Sequence, residues 1–349
     1  MKKVFRGFSA LSVLIAIFVV GAIGVLISKG VGNEAAETVF NNPVLAPSPV
    51  PFGELTIPYL RQREYKSSLG SLTRISQNSN YASYLTSYDS DGLKINGLLT
   101  QPQGESPAGG WPAIVFVHGY IPPQQYKTAE DYASYVDYLA KNGFVVFKID
   151  LRGHADSEGE PGGAYYSSDY VIDVLNARAA LLSSDFVKGD AIGLWGHSMA
   201  GNVVFRSLAA APEIPAVVIW AGAGFTYSDL AEFGIDDNSY QPPVNDSERQ
   251  KKRRELFDTH GEFDPNSAFW KQVVPTNYIS DLKGAIQLNH AANDPVVSIE
   301  YSRNLNKILS ESSVVHELNE YPDGGHNISG AAFAGAMENT RDFFRSYLR

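Results

Sequence analysis

The stretch Ala191-Ile192-Gly193-Leu194-Trp195-Gly196-His197-Ser198-Met199-Ala200-Gly201 decides how the rest of this 349-residue chain is read. A short apolar run, long enough for one buried strand, ends in small residues around a single serine. A helical pattern begins at once, with Val203, Val204, Phe205, Leu208 and Ala209 on its apolar positions. Strand, sharp turn, serine and helix make the layout that presents a hydroxyl at the edge of a sheet. Such a turn tolerates only small neighbours, which Gly196, Ala200 and Gly201 supply. The amides that follow the serine point to where negative charge on an oxygen would develop.

Outward from this stretch, strand-like and helix-like segments alternate. Strands are expected at 113–117, 144–151, 191–195, 216–220, 285–290 and 314–321. Helices are expected at about 127–141, 168–183, 199–211, 298–309 and 330–348. Two β-rich runs, 81–88 and 93–101, flank Asp89-Ser90-Asp91-Gly92 and read as a hairpin at the sheet edge. This pattern predicts an α/β fold: a mostly parallel twisted sheet with helices on both faces. Functional loops then gather at the C-terminal ends of the strands. One interval breaks the rhythm. Residues 222–281, after the sixth expected strand, carry Tyr227, Phe233, Tyr240, Phe257, Phe263, Phe269 and Trp270, and a basic helix around Lys251-Lys252-Arg253-Arg254. An insertion of this length is expected to be a lid or cap, or else a surface subdomain with its own small core.

Hydrophobic residues make up 44% of the chain and charged residues 19%, enough for a large core under a soluble surface. A net charge of −10 argues against a nucleic-acid partner. Cysteine is absent, which excludes disulfides, thiolate metal sites and a thiol nucleophile. Lys2, Lys3 and Arg6 precede an uncharged run over residues 7–28. As a helix this run is about 33 Å long, enough to cross a bilayer core. The basic flank places the remainder outside the cytoplasm. The expectation is a membrane anchor over 1–29, with secretion after signal cleavage as the alternative. Pro43, Pro47, Pro49 and Pro51 mark 30–53 as a stiff stalk. Residues 54–80 read as an extension packed on the domain, and 81–349 as the domain itself.

A serine nucleophile needs a base, an acid to orient that base, and donors for the oxyanion. In this layout the chain order is nucleophile, acid, histidine. Of the histidines after Ser198, His260 lies in the insertion and His316 inside an expected strand. His326 sits in Tyr321-Pro322-Asp323-Gly324-Gly325-His326-Asn327, directly after the last strand, where the base belongs. Asp294, in His290-Ala291-Ala292-Asn293-Asp294-Pro295-Val296-Val297, follows the preceding strand and is the expected acid. Asp323 is too near His326 in sequence to face its ring and reads as a turn former, and Asp281 as a turn or cap residue. The oxyanion donors are expected to be the amides of Met199 and of Tyr120, the latter in Phe116-Val117-His118-Gly119-Tyr120. His118 reads as a loop brace. Asp150-Leu151-Arg152-Gly153-His154 reads as structural loop organisation behind the site. No His-Glu-x-x-His and no phosphate-cradling glycine loop occurs, so no metal and no cofactor is expected.

Gly-His-Ser-Met-Ala-Gly, His-Gly-Tyr, Asp-Leu-Arg-Gly-His, the 290–297 segment and Gly-Gly-His together resemble the catalytic domain of prolyl-oligopeptidase family serine peptidases. Dienelactone-hydrolase-like and esterase-like α/β hydrolases are the wider relatives. The resemblance covers about residues 81–349 and implies an α/β-hydrolase fold with Ser198 as nucleophile, Asp294 as acid and His326 as base. It departs from the family at Ala200 and Ala291, where glycine is usual, and in having no β-propeller ahead of the domain. The expected activity is hydrolysis of a peptide, amide or ester bond in a small molecule or short peptide through an acyl-enzyme. A carboxylesterase is the alternative within that class. An acyltransferase using the same intermediate and a catalytically silent binding protein are the rivals outside it.

Overall fold

Alternation along the central strands separates two cores. The computed structural model describes residues 50–236 and 248–349. In the strand Trp111–Val117, Ala113, Val115 and Val117 join one apolar cluster while Ile114 and Phe116 join another. The strand Ala216–Trp220 splits in the same way, Val217 and Ile219 against Val218 and Trp220. Period-two side chains with both faces covered explain why these strands are unbroken apolar runs.

The described residues form nine strands: β1 (Thr73–Gln77), β2 (Tyr81–Ser90), β3 (Leu93–Pro102), β4 (Trp111–Val117), β5 (Val145–Ile149), β6 (Val187–His197), β7 (Ala216–Trp220), β8 (Ala285–Ala291) and β9 (His316–Tyr321). They lie in one sheet in the order β1-β2-β3-β5-β4-β6-β7-β8-β9. The β1–β2, β2–β3 and β3–β5 pairs are antiparallel and the remainder parallel. The α-helices among the described residues are α1 (Ile57–Gln62), α2 (Ala133–Lys141), α3 (Asp169–Leu182), α4 (Met199–Ala210), α5 (Tyr227–Phe233), α6 (Glu248–His260), α7 (Trp270–Val273), α8 (Glu300–Ser310) and α9 (Ala331–Tyr347). Side chains of α1, α3, α4 and α8 fill one cluster, and those of α2 and α9 the other. At the centre of the second, Phe116 stacks on Trp195 with ring centroids 4.0 Å apart.

Two expectations change. The segment over 54–80 contains a strand, β1, all five residues of which are exposed. With neither face buried there is no apolar alternation to announce it. That extra strand makes β7 the seventh, so the insertion follows the seventh strand in chain order. Helix α2 begins at Ala133 rather than near 127, after Tyr132 takes a left-handed backbone conformation, φ 58°. Of the two readings of the insertion, its described residues form a small core of their own. Leu256, Phe269, Trp270 and Val273 bury together with Leu55 of the N-terminal extension, and Tyr227, Phe257 and Phe263 pack against them. Arg253 of the basic helix lies 4.6 Å from the Tyr166 ring centroid.

Arg206 of α4 ties the extension to the domain. Its buried guanidinium donates to the carbonyls of Leu55, Ala164 and Ser167 and to Ser168 Oγ. The expected anchor and most of the proline-rich stalk, up to residue 49, lie outside the described residues, as does Tyr240. No helix among the described residues is long and apolar enough to cross a membrane.

Candidate active site

Ser198 stands between β6 and α4 with φ 55° and ψ −120°, a conformation ordinary residues avoid. Sterics around it explain the small neighbours. A Cβ on Gly196 would lie 2.7 Å from the Ala200 carbonyl oxygen, and one on Gly201 2.7 Å from Gly222 Cα. Ala200, by contrast, is accommodated: its side chain belongs to the core cluster beneath α4. The Ser198 amide donates to the Trp220 carbonyl at 2.9 Å, fastening the turn to β7. Met199 is the first residue of α4, so its amide is among those a helix leaves without an internal partner, at the positive end of the helix dipole.

His326 lies after β9, in the short 3₁₀ segment Gly325–Asn327. Its Nδ1 is 2.8 Å from Asp294 Oδ2. The other carboxylate oxygen, Oδ1, accepts from the Val296 and Val297 amides at 2.8 and 3.0 Å. Both oxygens are thereby assigned, one to hold the loop and one to hold the imidazole. Burial works to raise the Asp294 pKa, but hydrogen bonds from His290 and His326 prevail and keep the carboxyl well below the usual carboxylate range. No hydrogen bond joins Ser198 Oγ to the His326 ring among the described residues; such bonds commonly tighten only when substrate is seated.

Ser198, His326, His197, Gly119 and Tyr120 line one cavity of about 590 Å3, a volume that suits a small ligand. Tyr132 and Tyr135 supply its aromatic wall. Among the described residues of the insertion, Asp236 alone reaches it. The five expected residues, Ser198, Asp294, His326, Tyr120 and Met199, thus lie on loops and a helix end at the same end of the parallel strands. The remaining histidines are elsewhere. His260 stacks on Phe269 and bonds the Pro51 carbonyl, and His316 bonds Ser310 Oγ and the Val314 carbonyl. His118 is wedged between the carbonyls of Gly119 and Asp150. Asp323 meets Asn293, not the imidazole, and Asp281 pairs with Arg61. Arg152 binds the buried Asp173 carboxylate through Nε and Nη2, the structural loop role expected of that motif.

Two contributors were not singled out from the sequence. His290 Nε2 sits 3.2 Å from Asp294 Oδ2 and 3.0 Å from the Val297 carbonyl, so it carries the proton, while Nδ1 accepts from Ser302 Oγ at 2.8 Å. Asn293 Oδ1 accepts the Gly325 amide at 2.9 Å, joining the acid loop to the histidine loop. Gln287, Asn289 and His290, three polar residues in a fully buried strand, were the available signal.

Residues 112–234 match the family described as serine aminopeptidase, S33, and residues 175–341 the family described as BAAT / acyl-CoA thioester hydrolase C terminal. With the elbow, the strand order and these matches together, the class is determined. The chain is a serine hydrolase of the α/β-hydrolase superfamily. An uncharacterized peptidase, YtmA, of Bacillus subtilis is 24% identical over 232 residues, covering 65% of this chain and 79% of the relative. The thiohydrolase aneE of Aspergillus aculeatus is 31% identical over 111 residues, and the match spans about a third of that protein, 32% of its length. Acetyl xylan esterase 1 from Thermoanaerobacterium sp. JW/SL YS485 shares the fold with a TM-score of 0.57 at 18% identity, over 85% of this α/β hydrolase and 94% of the esterase.

Proposed function

We propose that this α/β hydrolase cleaves a carboxylic ester or amide bond of a small molecule or short peptide through an acyl-enzyme on Ser198. The observation that carries the reading is the 2.8 Å contact between His326 Nδ1 and Asp294 Oδ2, with His326 lining the same cavity as a serine at a strained elbow. In this reading Ser198 Oγ attacks the carbonyl carbon and its proton passes to His326 Nε2. The developing oxyanion is met by the amides of Met199 and Tyr120. The tetrahedral species expels the leaving group, which takes the proton from His326. Water, deprotonated by the same imidazole, then releases the acid and restores Ser198. Asp294 stays ionised throughout, orienting the ring and stabilising its cationic form.

The acyl-transfer machinery is common to peptidases and esterases, so substrate class is tested directly. One acyl group is presented to the full-length protein as ester and as anilide, and kcat/KM is measured for both alongside Ser198→Ala. Ester turnover without anilide turnover, abolished in the variant, makes the protein an esterase. Anilide cleavage abolished in the variant makes it a peptidase or amidase. Activity surviving in Ser198→Ala refutes the assignment. We further propose, from the basic-flanked apolar run over 7–28, that this segment carries the domain to the outer side of the membrane. Degradation of the domain by protease added to intact cells supports this, and protection refutes it.

A further inference from the structure

Resting on the acyl-enzyme reading, we propose that Tyr132 and His197 are positioning residues. A hydrogen-bonded relay through them holds the oxyanion loop, the serine elbow and the histidine loop in register. The relay has three links. The Gly119 amide donates to Tyr132 Oη at 3.0 Å; Tyr132 Oη is 2.7 Å from His197 Nδ1; and His197 Nε2 is 2.8 Å from the His326 carbonyl oxygen. Each link joins a different piece of the candidate site. Gly119 precedes Tyr120, His197 precedes Ser198, and the last acceptor is the backbone of His326 itself.

The chemistry of the partners fixes the direction of every proton. A carbonyl only accepts, so His197 Nε2 carries the hydrogen. The neutral ring then offers Nδ1 as an acceptor, and the Tyr132 hydroxyl, already accepting from Gly119, donates to it. Burial disfavours the charged imidazolium and keeps His197 in this neutral form. The relay therefore has one arrangement, with no second tautomer that satisfies all three contacts.

Local structure is shaped around these contacts. Tyr132 adopts a left-handed backbone, φ 58°, an arrangement that non-glycine residues take up chiefly where the surroundings demand it. Gly119 must lack a side chain, because a Cβ there would lie 2.9 Å from both His197 Nδ1 and Tyr132 Oη. One turn further along α2, Tyr135 Oη donates to the Asn327 carbonyl at 2.8 Å. The start of α2 thus grips the histidine loop a second time. Its two tyrosines splint three loops that the chain supplies from distant positions.

The test uses the full-length protein and its Tyr132→Phe variant, which removes only the hydroxyl. Misaligning an oxyanion donor should cost less than deleting one, so kcat is expected to fall about 10- to 100-fold with KM within about 3-fold. A boronic acid that mimics the tetrahedral species should bind weaker by the same factor. Titration of Ser198 with a fluorophosphonate should give an undiminished active fraction, which a merely structural role would lower instead. Unchanged kcat and boronate affinity, or a loss accounted for entirely by active fraction, overturns the inference. Should Tyr132→Phe not fold, His197→Gln decides: full kcat overturns the relay, and a parallel loss of kcat and boronate affinity supports it. Failure of wild-type Ser198 to react with the fluorophosphonate would instead bring down the acyl-enzyme reading and this inference with it.

Discussion

Asp294→Asn is expected to leave the fold intact and to remove nearly all activity, for a reason that can be followed atom by atom. Asp294 Oδ1 accepts two backbone amides, from Val296 and Val297. An asparagine at this position keeps its carbonyl oxygen on those amides, since its NH₂ there would face two donors. The NH₂ must then occupy the place of Oδ2, toward His326 Nδ1 and His290 Nε2. A donor facing Nδ1 stabilises the tautomer with its hydrogen on Nε2, the nitrogen that has to receive the Ser198 proton. The imidazole is retained in place and disabled as a base. In a serine peptidase where this substitution enforces the wrong tautomer the loss in kcat is about 10⁴-fold. At about 1.36 kcal/mol per decade this is roughly 5.5 kcal/mol of transition-state stabilisation. The assay is steady-state hydrolysis of an activated ester, with KM expected to change little and kcat to fall by about four decades. The residual activity should rise at high pH, where hydroxide substitutes for the base. A variant within tenfold of wild type would refute the reasoning, because the carboxylate would then not be what sets the tautomer.

Two further outcomes follow from the buried charges. Burial raises Asp150 to about 6, so the folded state holds a proton that the unfolded chain releases near pH 4. Native stability therefore declines as pH rises between those values, by roughly 3 kcal/mol at 1.36 kcal/mol per unit. Asp150→Asn lacks this term, so urea unfolding at pH 4 and pH 7 should show it gaining on wild type with rising pH; parallel curves would contradict the assignment. Arg206→Ala removes the donors serving Leu55, Ala164, Ser167 and Ser168 and leaves their oxygens buried. A destabilisation of about 3 kcal/mol or more is expected in chemical unfolding. A change under about 1 kcal/mol would mean the guanidinium does not fasten the extension to α4.

What the linear chain determined by itself was whatever local chemistry forces. A run such as Ala191–Trp195 reads as a covered strand, and the missing side chain at Gly196 is demanded within the turn itself, where a Cβ would meet the Ala200 carbonyl oxygen. His326 and Asp294 were also legible, 32 residues apart, because topology leaves few loops at the strand ends where such groups can meet. Other features had no local signature. Strand β1 buries nothing, so its sequence carries no periodicity. Tyr227, Phe257, Phe263, Phe269 and Trp270 look the same in the chain whether they line a substrate site or, as here, pack around Leu55 and one another. The relay through Tyr132 and His197 spans 65 residues in one link and 129 in the next, between groups whose neighbours in sequence predict no such partners. Only the folded sheet decides these contacts. Hydrogen bonds and burial depend on distance and direction in space, which period and spacing encode within an element and scarcely at all between loops.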